Sequence, residues 1–180
     1  MGLRGLVETD VSIIESRRDQ AFPVLEPGQI ETAKRFASGE ARTFAPGEVI
    51  YDVGVRNTPT WLVLDGSIES TRRDGLGHET PITTLTAGQF SGEVSQLGGS
   101  GTLAVGRAGP AGCTALPFDA AHVRALVIGS AEVGEILMRA FILRRVGLIQ
   151  DGGAGSLLVG RPSESEMIRL QGFLNRNGYP

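Results

Sequence analysis

Gly88-Gln89-Phe90-Ser91-Gly92-Glu93-Val94-Ser95-Gln96-Leu97-Gly98-Gly99-Ser100-Gly101-Thr102-Leu103-Ala104-Val105-Gly106-Arg107-Ala108 reads as a short strand, a tight glycine turn, one or two helical turns from Glu93 to Leu97, a glycine loop and a second strand. Gly92 has no Cβ just where that helix begins, so the first helical amides can face an anion. Glu93 sets a carboxylate acceptor beside them. Donors for a phosphate next to an acceptor for a sugar hydroxyl suit a nucleotide monophosphate. The same residues also suit a plain loop between two strands of a β-barrel, in which Glu93 merely complements the helix dipole.

Outward from this stretch the chain changes period twice. Between Glu40 and Leu116, short β-rich segments are punctuated every eight to twelve residues by Pro46-Gly47, Gly54, Asp65-Gly66, Asp74-Gly75, Gly77, Gly88, Gly98-Gly99 and Gly109-Pro110, the spacing of an all-β sandwich or barrel. Asp65-Gly66, between Trp61-Leu62-Val63-Leu64 and Ser67-Ile68-Glu69-Ser70, predicts a hairpin with a type I′ turn. From Phe118 the pattern turns helical. Asp119 opens a helix reaching Ile128, Gly129-Ser130 breaks it, and a longer helix runs from Ala131 to Ile149. Its apolar stripe comprises Val133, Leu137, Ala140 or Phe141, and Arg144 or Leu148. Arg139, Arg144 and Arg145 lie in its second half, where cations complement the dipole. On the other side, Pro27 fits the first turn of a short amphipathic helix reaching Ala37.

Phe44-Ala45-Pro46-Gly47-Glu48-Val49-Ile50, Gly54, Trp61-Leu62-Val63-Leu64-Asp65-Gly66-Ser67-Ile68 and Leu85-Thr86-Ala87-Gly88 lead into Phe90-Ser91-Gly92-Glu93. This ordered set resembles the cyclic nucleotide-binding domain family over about residues 27 to 148. The resemblance implies a mainly β fold with flanking helices, a double-stranded β-helix or jelly-roll-like β-roll. It also implies a ligand site at Gly92, Glu93, Val94, Ser95, Thr102 and Leu103, with Glu93 accepting a ribose hydroxyl and Phe141 a candidate cover for a base. The family's phosphate-binding arginine would fall at Thr102 or Leu103, and neither is basic. Arg107 stands an odd step from Thr102, so on a strand it points to the opposite face. Loss of a desolvated charge contact costs ~2–5 kcal/mol, so the expected affinity for cyclic nucleotides is weak.

The 180 residues can bury a core without disulfide or metal. Twenty acidic against seventeen basic residues, net −3, argue against a general polyanion surface and hence against nucleic acid as a partner. Sixteen of those bases are arginine, and they are dispersed. Cys113 is alone, which excludes a disulfide framework or Cys-x-x-C pair. No apolar run approaches the ~18 residues of a membrane span, and acidic residues follow Met1 too soon for a signal peptide. These features predict a cytoplasmic protein without a membrane partner. His78 and His122 lack metal-ligand spacing, no Gly-x-Gly-x-x-Gly follows a strand, and Ser91 and Ser95 have no adjacent base. No catalytic or metal residue is expected.

Residues 1–26 read as an N-terminal extension, 27–150 as the domain, and 151–180 as a linker followed by the start of an α/β domain. In the last, Ser156 to Gly160 predicts a strand and Ser163 to Asn175 a helix, with Ser163 and Glu166 as a capping box. Leu157 to Pro180 and Phe22-Pro23-Val24-Leu25 resemble segments of bacterial fusions of such a domain to a thioredoxin-reductase-like flavoprotein. That resemblance implies a regulatory, non-enzymatic piece, with FAD and NADPH belonging only to the fused enzyme. Two alternatives stay open: a non-binding domain kept for dimerisation or protein contact, and the effector domain of a transcription regulator. Association as a homodimer is expected through the helix from Ala131 to Ile149.

Overall fold

The computed structural model describes residues 13–73, 77–92, 97, 101–150 and 165–176. Five antiparallel strands form the centre: β1 (Arg42–Phe44), β2 (Val49–Tyr51), β3 (Thr60–Arg73), β4 (Glu79–Thr86) and β5 (Val105–Phe118). The order is β1-β5-β3-β4, with β2 also paired to β5. Before the strands come α1 (Ile13–Ser16), α2 (Arg18–Ala21) and α3 (Pro27–Lys34). After them come α4 (Ala120–Gly129), α5 (Ala131–Gln150) and α6 (Ser165–Arg176). This is the expected antiparallel β-roll with helices on both sides.

Two long bent strands carry the roll. β3 and β5 are 14 residues each and pair from Thr60 opposite Phe118 to Thr71 opposite Val105. Their ladder is interrupted between Val63 and Asp65 and again between Gly66 and Ile68. Asp65-Gly66 is therefore not the predicted hairpin turn but part of a bulge inside a continuous strand. Gly66 does have the positive φ, +71°, that its dipeptide signals. What demands it is close approach: a Cβ there would lie 2.2 Å from the Gly112 carbonyl oxygen. Gly109-Pro110 is likewise no break between strands, since β5 runs through it. The interruption also changes which side chains face inward. Trp61 and Val63 before it and Ile68 after it all belong to one buried cluster, although a strand of strict period two would set odd and even residues on opposite faces.

That cluster fills the roll, with Phe44 edge-on to Trp61 at 5.2 Å between ring centres. A second cluster joins the roll to the helices through Leu62, Phe90, Phe118, Leu126, Val133, Leu137 and Phe141. Burying each such side chain contributes about 1.5–3 kcal/mol. Phe141 is fully buried here, which is the packing role rather than that of a lid. The apolar stripe of α5 that suggested pairing between chains is thus occupied within its own chain. Among the described side chains of α5, the large apolar residue left exposed is Ile142, at 49%.

Helix ends follow their local chemistry. Pro27 opens α3, with the Glu26 amide donating to Gln29 Oε1 at 2.9 Å. Asp119 caps α4 by accepting from the His122 amide at 2.8 Å. That bond and the His122 ring hold the Asp119 carboxyl below the ordinary range. Residues read as the N-terminal extension are part of the packing: Ile14, Ala21, Phe22 and Leu25 are buried, and the Leu25 amide donates to the Gly88 carbonyl at 2.9 Å. Ser163 and the strand expected over 156–160 lie outside the described residues, whereas the helix expected after them appears as α6.

Candidate ligand pocket

An open pocket lies between the roll and α5. Its wall is mostly apolar, supplied by Ile14, Phe22, Ile82, Leu85, Leu103 and Ala104. Three of the expected site residues, Gly92, Thr102 and Leu103, line it. Glu93, Val94 and Ser95 lie outside the described residues.

Each described site residue has a structural commitment. Gly92 has a φ of +100°, a conformation reserved for glycine. Thr102 is 5% exposed, and its hydroxyl donates to the Asp52 carbonyl. Its backbone carbonyl accepts from the Gly54 amide at 2.8 Å. The loop leaving the glycine-rich stretch is thereby stitched to the turn after β2, where a Cβ on Gly101 would meet the Gly54 backbone at 2.8 Å. Arg107 is absent from the pocket, as its odd step predicts. It lies 3.6 Å from Glu79, which also accepts from Arg73 at 2.7 Å.

Arg144, which the sequence places both on the α5 stripe as an alternative to Leu148 and among the cations that complement the helix dipole, is 6% exposed and lines the pocket. Its Nε donates to the Ala21 carbonyl at 2.6 Å, and its Nη1 donates to the carbonyls of Phe90 at 2.7 Å and Gly92 at 2.9 Å. The guanidinium also lies 4.8 Å from the centre of the Phe22 ring and 5.9 Å from that of Phe141. Burial pulls its pKa down to about 10. The signal available in sequence was angular: Arg144 falls on the same three-and-four stripe as Leu137 and Phe141, the face that packs on the roll.

Other polar groups around the pocket already have partners. Tyr51 donates to Ser70 Oγ at 3.4 Å, and burial pushes its phenol up. Ser91 Oγ accepts from the Trp61 amide at 2.9 Å. Thr83 Oγ1 accepts from Arg18 at 3.3 Å. Among the described residues no group of three His, Cys, Asp or Glu side chains could hold a metal ion, and no helix is long and apolar enough to cross a membrane.

The sequence model for the cyclic nucleotide-binding domain matches residues 41–130, half of the chain. The chain belongs to the cyclic nucleotide-binding domain family. No curated protein sequence matches it. Solved structures do. The catabolite activator protein of Thermus thermophilus is similar at 21% identity and a TM-score of 0.58, over 88% of each chain. The N-terminal domain of a transcriptional regulator from Streptomyces coelicolor A3(2) is similar at 21% identity and 0.51, over 82% of this chain and 98% of that one. The global regulator CLP of Xanthomonas campestris, described as c-di-GMP-responsive, is similar at 16% and 0.55, over 71% and 61%. At these identities the likeness shows a shared fold. The pocket is lined by Ser91 and Gly92 on one side of the glycine-rich stretch and by Thr102 and Leu103 on the other.

Proposed function

We propose that this chain is a ligand-sensing regulatory domain that takes a small anion in the pocket between the roll and α5. The observation that carries the reading is the pocket itself, open at the family's binding stretch and bounded by a buried arginine. Occupancy there acts on α5 directly, because Arg144 joins that helix to the Gly92 carbonyl and to the end of α2. The domain performs no chemistry of its own.

A cyclic nucleotide is the ligand class that family membership suggests, and it binds weakly. No arginine occupies Thr102 or Leu103, and the guanidinium supplied instead by Arg144 is already shared among three carbonyl oxygens. Calorimetry with cyclic AMP and cyclic GMP tests this. The expected dissociation constant is on the order of tens of micromolar or worse, and submicromolar binding would overturn it.

The output is a proposal of the same kind. Residues 157–180 favour a fused thioredoxin-reductase-like oxidoreductase in the cytoplasm, with FAD and NADPH bound only by that enzyme. Two structural neighbours are described as a transcriptional regulator and a global regulator linked to gene expression, which favours a nucleic-acid output instead. Sequencing the coding region downstream of Pro180 separates the two: a flavin-binding domain supports the first, a helix-turn-helix the second. A non-binding domain that serves dimerisation draws support from the Thr102–Asp52 bond, which uses the hydroxyl at a ligand position. Among the described residues of α5, Ile142 is the one that a homodimer through this helix could use, since Val133, Leu137, Ala140 and Phe141 are buried within the chain. Sedimentation of wild type and Ile142→Glu checks it.

A further inference from the structure

The reading of the pocket as a sensor site leaves the ligand's chemistry open, and the wall narrows it. Six of the lining side chains, Ile14, Phe22, Ile82, Leu85, Leu103 and Ala104, offer only hydrocarbon. The hydroxyls of Tyr51, Ser70, Thr83, Ser91 and Thr102 each have a partner within the chain. A nucleotide brings a ribose, a phosphate and a polar base edge, and few groups described here are unengaged to receive them. An apolar body fits the wall better.

One charged group remains. Arg144 is a buried cation whose described partners are all neutral carbonyl oxygens, and no carboxylate among the described residues lies within ion-pairing distance of it. Its Nη2 has no hydrogen-bond partner among the described residues. A buried charge held only by neutral acceptors gains from an arriving counter-ion. With Nε and both Nη1 protons engaged, Nη2 is the nitrogen left to meet a carboxylate.

Resting on the sensor reading above, we infer that the ligand is a small monocarboxylic acid with a hydrocarbon body, whose carboxylate meets Arg144 while its body lies against Ile82, Leu85 and Leu103. This chemistry is shared by short fatty acids and by arylalkanoic acids.

The test is calorimetric titration of the 180-residue chain with decanoate, 4-phenylbutyrate, decanol and cyclic AMP. At least one acid is expected to bind, and decanoate, if it is that acid, at least tenfold tighter than decanol. Arg144→Met should remove the acid's advantage, and Ala104→Trp, which adds bulk at a lining residue that is not a partner of Arg144, should abolish binding of the acid. If Arg144→Met fails to fold, the comparison of acid with alcohol and the Ala104→Trp variant still decide. Where decanoate binds, equal affinity for decanoate and decanol would overturn the inference, and so would binding of either acid unchanged by Ala104→Trp. Cyclic AMP binding with neither acid bound would overturn it and leave the sensor reading standing. Silence from all four compounds would sink both.

Discussion

Arg144 Nη1 donates to the Gly92 carbonyl at 2.9 Å, so α5 is hydrogen-bonded to a positive-φ glycine that lines the pocket. The same side chain reaches Ala21 and Phe90. Replacing it by methionine keeps most of the volume but strands three carbonyls in a part of the molecule that water reaches poorly. Arg144→Met is expected to lower stability by about 2–4 kcal/mol. Arg144→Lys, with a single cationic nitrogen, should recover only part of that. Urea unfolding of the three proteins measures it, and a loss below about 0.5 kcal/mol for the methionine variant would show that the bonds are dispensable.

The bulge at Gly66 is expected to tolerate no side chain. A Cβ would lie 2.2 Å from the Gly112 oxygen, which is backbone and cannot swing aside, and φ is already +71°. Gly66→Ala should cost about 2–4 kcal/mol, whereas Gly47→Ala, at a similar φ but with open space around its Cβ, should cost about 1 kcal/mol. Thermal melts that rank the two variants the other way would contradict the packing described.

Cys113 is buried and unpaired, and burial pushes its thiol up to about 11 from an ordinary 9.0. The native protein should resist alkylation by iodoacetamide at pH 8, while the urea-unfolded protein reacts. Because the folded form keeps the proton longer than the unfolded form, stability from this group is fully present below pH 9 and is lost as pH rises to 11. Arg144 works in the opposite sense above pH 10, since folding favours its neutral form. The slope is therefore best read between pH 9 and 10, where Cys113→Ala should flatten it.

Thr102→Arg returns a cation to the position where the family carries one. Cyclic AMP should then bind about 2 kcal/mol more tightly. The variant should lose about 1 kcal/mol of stability with the Thr102–Asp52 hydrogen bond. Calorimetry and melting on the same preparation check both, and an unchanged affinity would show that the pocket has no room for a nucleotide.

Much of the fold was legible because its punctuation is local. Positive-φ glycines at Gly47, Gly54 and Gly88 mark real turns, and the change of period at Phe118 coincides with the Asp119 cap. Asp65-Gly66 misled because a type I′ turn and a bulge make the same demand on the backbone, and only the distant Gly112 distinguishes them. The packing of residues 13–26 was hidden for another reason: α1 and α2 are four residues each, too short to show a helical period. Arg144 was legible only in part: the stripe offered it or Leu148 an inward place, while the dipole set it beside Arg139 and Arg145. A dipole argument uses only position along a helix axis, whereas burial depends on the angle around it, and its partners Ala21, Phe90 and Gly92 stand far away in sequence.

The inward-facing side chains of β3 change from odd to even numbers across Leu64 to Ser67, from Trp61 and Val63 to Ile68. In this strand, then, the count of residues carries information that their identities do not. Deleting one residue from 65–67 would leave every remaining side chain chemically unaltered, yet Ile68 could then stay on the face of Trp61 and Val63 only if the strand ran in plain alternation, without the bulge at Gly66. Among relatives of this chain, substitutions at Asp65 and Ser67 should accumulate more readily than insertions or deletions there, with Gly66 retained.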